Sequence, residues 1–168
     1  QVRSYGDTSD LVFRDLDVRA AVNSTSYAQW TITDWNNNKR SGFLIDGPRQ
    51  TVARNRVTGI YNGILMVGTD GMRALGDNSI VRRNKVQNCH QINASHTDAF
   101  QAWTTGPGGV GTGTLRNLTI EDNKIFEFVG TRRALACKLQ GISLFAGAYE
   151  NFIIRNNVVS TTAYHGIT

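Results

Sequence analysis

Ile120-Glu121-Asp122-Asn123-Lys124-Ile125 is one copy of a six-residue phrase that occurs five times and decides how this chain folds. The other copies are Phe13-Arg14-Asp15-Leu16-Asp17-Val18, Val52-Ala53-Arg54-Asn55-Arg56-Val57, Val81-Arg82-Arg83-Asn84-Lys85-Val86 and Ile154-Arg155-Asn156-Asn157-Val158-Val159. Their starts lie 39, 29, 39 and 34 residues apart, so a constant unit carries inserts of variable length. A second phrase, a small residue followed by alternating apolar residues, closes each unit. It reads Gly42-Phe43-Leu44-Ile45, Gly63-Ile64-Leu65-Met66, Ala99-Phe100-Gln101-Ala102, Gly141-Ile142-Ser143-Leu144 and Gly166-Ile167. Period-two apolar positions and β-branched residues give both phrases strand character.

A unit of this size cannot bury its own apolar residues, so the copies must stack with equivalent positions above one another. The core is then expected as columns, one of Phe13, Val52, Val81, Ile120 and Ile154, another of Val18, Val57, Val86, Ile125 and Val159. Asn55, Asn84, Asn123 and Asn157 are expected to line up at a turn, where side-chain amides bond to one another and Asn tolerates left-handed backbone. Leu16 interrupts that ladder. The same register sets Asp15 against Arg54, Arg83 against Asp122, and Glu121 between Arg82 and Arg155, all complementary; only Arg54 beside Arg83 is a like pair. A leucine-rich repeat, which Leu118-Thr119-Ile120-Glu121-Asp122-Asn123 loosely fits, fails because Leu is scarce at the repeat positions and the spacing is irregular.

Composition agrees. With 168 residues, 40% hydrophobic content, 17 Gly and only 2 Pro, the chain reads as one domain of short strands and tight turns over 1–168, neither a helix bundle nor a disordered chain. The net charge of +5 is scattered, without a basic tract, so no nucleic-acid partner is expected. Arg and Lys equally suit the carboxylates of an acidic glycan. Cys89 and Cys137 lack metal-site spacing and are either two buried thiols or one disulfide; no metal and no cofactor are expected. Gly106 to Gly113 lacks the ending of a phosphate loop and is expected to be a flexible surface loop. The triplets at Asn23, Asn93 and Asn117 read as chance glycosylation acceptors in an Asn-rich and Thr-rich chain. No apolar run is long enough for a membrane helix, so no membrane insertion is expected.

The Asn phrase and its stacking resemble the right-handed parallel β-helix superfamily, the pectate-lyase-like proteins, from Asp10 to Ile167. The resemblance implies an all-β solenoid of about five coils with loop insertions on one rim. Two features depart from it: no amphipathic cap helix precedes Leu11, and Tyr164-His165-Gly166-Ile167-Thr168 stops inside a closing strand. The expectation is therefore a segment of a longer polypeptide, or a homotrimer or neighbouring subunits that cover the open coil ends. The superfamily includes polysaccharide lyases, glycoside hydrolases, alginate epimerases, and phage tailspikes and tail fibres, which implies a polysaccharide partner and an extracellular or virion-surface location. The rival expectation is a structural rod whose side wall contacts protein.

The inserts between the Asn phrase and the closing strand are long in the first, third and fourth units, and such inserts usually line a binding rim. At its lip lies His96-Thr97-Asp98-Ala99-Phe100-Gln101, which is similar to a His-x-Asp-x-x-Gln signature of bacterial and phage β-helix proteins. Stacking places Asn62, Asp98, Gln140 and His165 in one column, Lys138 beside His96, and Ser143 and Leu65 on either side of Gln101. The expected catalytic groups are His96, Asp98 and Lys138; the expected substrate contacts are Asn62, Gln101, Trp103, Gln140, Tyr164 and His165. For lyase or epimerase chemistry a base (Lys138, His96 or a tyrosine) removes the proton next to a uronate carboxylate while a cation stabilises the enolate-like charge. Hydrolysis needs two carboxylates, and it is the weaker expectation because Asp98 has only Asp46, Asp70 and Glu150 as distant acidic candidates. Asp98, Gln101 and Lys138 are expected to face outward into solvent, since Phe100 and Ala102 point inward.

Overall fold

The computed structural model describes residues 1–19, 29, 31, 33, 34, 37, 41–58, 76–89, 97–129 and 137–168, together with the backbone of 62–69. Strand dominates, and the strands are short. In chain order they are β1 (Val2–Arg3), β2 (Val12–Arg14), β3 (Asp17–Arg19), β4 (Ser41–Ile45), β5 (Thr51–Ala53), β6 (Arg56–Thr58), β7 (Asn62–Thr69), β8 (Ile80–Arg82) and β9 (Lys85–Gln87). They continue with β10 (Thr97–Gly106), β11 (Gly109–Val110), β12 (Thr114–Arg116), β13 (Thr119–Glu121), β14 (Lys124–Phe126), β15 (Leu139–Leu144), β16 (Ala148–Glu150), β17 (Ile153–Arg155) and β18 (Val158–Ser160). The protein is all-β, with parallel sheets in the orders β2-β5-β8-β13-β17, β3-β6-β9-β14-β18 and β1-β4-β7-β10-β15, plus the pair β12-β16. The one antiparallel pairing among the described residues is β10 with β11, a hairpin that gives part of the Gly-rich segment regular pairing where a flexible loop was expected.

Each expected core column is a row of register partners. Phe13 pairs with Val52, Val52 with Val81, Val81 with Ile120 and Ile120 with Ile154. Val18, Val57, Val86, Ile125 and Val159 pair in the same way. The middle members are buried, and they join Phe43, Phe100, Leu115, Leu139 and Ile142 in a single apolar cluster.

Left-handed corners make these turns. Asp15, Arg54, Arg83, Asp122 and Asn156 all have φ between 54° and 59°. Left-handed backbone was expected at the ladder asparagines; it falls one residue earlier, which swings the following side chain inward. A second set of left-handed corners precedes these by five residues, at Asp10, Arg49, Asn78, Asn117 and Asn151. The residue after each of the middle three again turns inward, and Gln50, Ser79 and Leu118 are fully buried there.

The inward amides form a continuous chain. Asn84 Oδ1 accepts from the backbone N–H of Asn55 (3.0 Å) and from its Nδ2 (3.1 Å), Asn123 Oδ1 does the same for Asn84, and Asn157 Oδ1 for Asn123. Each Nδ2 also donates to a strand carbonyl, of Phe13, Val52, Val81 and Ile120 in turn. Leu16 contributes only its backbone N–H, which donates to Asn55 Oδ1 at 3.0 Å. A buried polar chain of this kind is tolerable because its members are satisfied.

The outer corners match charge. Arg54 makes two hydrogen bonds to Asp15, Arg155 bonds Glu121, and Arg83 lies 3.6 Å from Asp122. Arg49 with Asp10 and Arg116 with Glu150 add two pairs. The Arg49 guanidinium holds the Asp10 carboxyl down at about 2, helped by Ser9. Of the two states open to Cys89 and Cys137, the structure has the disulfide, with Cα atoms 5.5 Å apart.

Candidate functional site

Strands β10 and β15 build the region that the sequence singled out. Thr97 pairs with Leu139, Asp98 with Gln140, Phe100 with Ile142 and Gln101 with Ser143, while Leu65 pairs Gln101 on its other side. Phe100 and Ala102 are buried and Gln101 is partly exposed, as alternation requires. The alternation slips one place at Ala99. Leu139, the partner of Thr97, is a core residue, and so is Phe100 three positions after Thr97. Asp98 and Gln101 therefore share the outward side of the sheet. The closing small residue sits at this slip, and Gly141 shows why it is small: a Cβ there would lie 1.9 Å from the Gly166 carbonyl oxygen.

Asp98 differs from its expected surroundings. It was expected to reach solvent, yet it is fully buried. Ser143 Oγ donates to its Oδ1 at 2.5 Å, and Gln101 Nε2 donates to its Oδ2 at 2.9 Å. Its carboxylate is thus held from both strands, by Ser143 of β15 and Gln101 of β10, beneath the surface. Ser143, also buried, is the member whose part in this cluster the sequence reading missed; its signal was the shared 42-residue offset that also aligns Asp98 with Gln140.

Around this cluster, Lys138 is exposed at the position before Leu139, as expected. Gln140 is partly exposed, and its Oε1 is buried without a hydrogen-bond partner. Trp103 is partly exposed two residues beyond Gln101. Tyr164 is 91% exposed, and its ring meets that of His165 edge-on at 4.5 Å. His165 reaches the register column through its carbonyl, which accepts from Gly141 N–H at 3.2 Å. His96, the side chain of Asn62, and Trp30 and Trp35 of the first insert lie outside the described residues.

A second buried carboxylate, Glu127, accepts from the Thr162 backbone N–H at 2.6 Å and from the Thr161 hydroxyl at 3.0 Å. It ties the segment before Tyr164 to the end of β14. Among the described residues no three His, Cys, Asp or Glu side chains gather as a metal site, and no helix is long and apolar enough to cross a membrane. No family model matches the chain, and no curated protein and no solved structure matches it either.

Proposed function

We propose that the parallel sheets are the faces of a right-handed β-helix, and that its β10–β15 wall recognises an acidic polysaccharide. The solenoid reading is supported by sheets that the chain visits in a fixed rotation, with left-handed corners at constant separation between them. Parallel strands joined by crossovers are right-handed in nearly all proteins, which supplies the hand.

One observation carries the functional reading: the Ser143–Asp98–Gln101 hydrogen-bond chain spans two strands and fixes a side-chain amide on the outward side of the sheet. Preorganised amides of this type recognise sugar hydroxyls, and Tyr164 and Trp103 offer flat faces for sugar rings. Lys138 supplies the cation that favours a uronate over a neutral sugar. Asp98 in this arrangement is a positioning residue, so proton removal from a uronate would fall to Lys138 or His96.

Calorimetric titration with polygalacturonate, against dextran as the neutral control, tests the reading. The protein binds polygalacturonate, and Lys138→Ala and Tyr164→Ala each weaken binding roughly tenfold, about 1.4 kcal/mol. Their melting temperatures stay within a few degrees of the parent, since exposed groups contribute little to stability. Ultraviolet absorbance from an unsaturated uronate in the same mixture reports lyase turnover. Absence of binding, or full binding by both variants, contradicts the proposal and favours a structural rod.

A further inference from the structure

Most stacked charges in this protein meet an opposite charge, Arg54 beside Arg83 being a single like pair flanked by Asp15 and Asp122, but one row holds three like charges in succession. On the outward side of the β3-β6-β9-β14-β18 sheet, register partners run Asp17, Arg56, Lys85, Lys124, Val158. Three cations thus stand on consecutive strands, about 4.8 Å apart. Like charges directly opposite one another destabilise a sheet. Elsewhere the charged side chains are paired with opposite charge, Asp10 with Arg49, Asp15 with Arg54, Asp122 with Arg83, Glu121 with Arg155 and Glu150 with Arg116, so that even the like neighbours Arg54 and Arg83 each have a carboxylate partner.

Among the described residues no salt bridge engages Arg56, Lys85 or Lys124, and the row's relief is the longer-range attraction of Asp17 for Arg56. Arg56 and Lys124 are exposed. Asp17, at the head of the row, is engaged by Arg19 through its Oδ2. Lys85 lies 5.8 Å above the ring of Phe126, which is partly exposed at the next outward position on the Lys124 strand. Folding does not account for three stacked cations, of which Lys85 alone lies over an aromatic ring, but a ligand with regularly spaced negative charge does.

We infer that Arg56, Lys85 and Lys124 form a second binding track, for a linear polyuronate running across the strands. Such a polymer carries one carboxylate per sugar ring, a repeat comparable with the strand spacing, and Phe126 offers an apolar face to a ring. A single-stranded nucleic acid fits less well, because it needs a succession of aromatic platforms for its bases and this row has one ring. The track lies on a different sheet from the Asp98 cluster and does not rest on the reading of that cluster.

The test compares the parent with R56Q/K85Q/K124Q and with the charge-conserving R56K/K85R/K124R, each titrated with polygalacturonate and with poly(dT) over a series of salt concentrations. The neutralised variant should bind polygalacturonate at least tenfold more weakly, and its plot of log affinity against log salt should flatten by about 2–3 in slope, as expected for three lost charge contacts. The conserving variant should bind like the parent. The melting temperature of the neutralised variant should stay level or rise, because repulsion is removed. Parental affinity and salt slope in the neutralised variant, loss of binding in the conserving variant, or tighter binding of poly(dT) than of polygalacturonate each overturn the inference. Because Lys138→Ala leaves this row intact, separate loss in one set of variants shows which of the two surfaces has failed.

Discussion

Asn123 donates its Nδ2 to Val81 O and Asn157 Oδ1, and its Oδ1 accepts two bonds from Asn84. Truncation would leave buried groups on both sides unpaired, so Asn123→Ala is expected to cost about 1–3 kcal/mol in urea unfolding. A loss of only a few tenths would contradict the role of the ladder. Tyr149 gives a pH signature. Its hydroxyl lies 3.0 Å from Ala102 O and 2.5 Å from Phe145 O, and burial pushes its ionisation up to about 12. The folded state thus favours the neutral phenol more than the unfolded state does. Its contribution is present below the ordinary value of 10 and lost as pH rises towards about 12. The stability difference between the parent and Tyr149→Phe should shrink over that interval, and a constant difference would contradict the assignment. At this scale the ladder asparagines were legible because one residue type recurs at one place in the phrase. The burial of Asp98 was not, because the alternation slips at Ala99 and its partner Ser143 lies 45 residues away.

Strand pairs and corners were partly legible. The apolar positions of β5, β8 and β13 repeat at fixed places, and their register follows from that repeat. The second row of corners was hidden, because Asp10, Arg49, Asn78, Asn117 and Asn151 mix residue types and Arg is an unusual left-handed residue. Its trace in sequence is the constant five-residue step before each ladder corner. Asn117 and Asn151 also show why the triplet at Asn117 is occupied: Asn117 Nδ2 donates to Asn78 Oδ1, and its Oδ1 accepts from Asn151 Nδ2. The Cys89–Cys137 bond joins the chain just after β9 to the chain just before β15. Sequence left its state open, since spacing alone cannot distinguish paired thiols from free ones. With its ends separated by 48 positions in sequence, its reduction is expected to lower stability by about 2–4 kcal/mol, read as a shift in the urea midpoint with and without reductant. An unchanged midpoint would show that the bond is not a structural staple.

At the scale of the whole molecule, both proposed surfaces depend on the units lying in register, since Gln101 meets Ser143 and Lys85 meets Lys124 only if strands far apart in sequence are neighbours. Asp17 and Val158 end one outward row, four strand spacings apart, and both are exposed. No described residue offers a competing free thiol. Spin labels on Asp17→Cys and Val158→Cys, read by pulsed electron resonance, therefore test the stacked solenoid directly. The account predicts a narrow distribution near roughly 19 Å between the labelled backbone positions, broadened only by the label arms. A broad distribution centred well beyond that distance would contradict it.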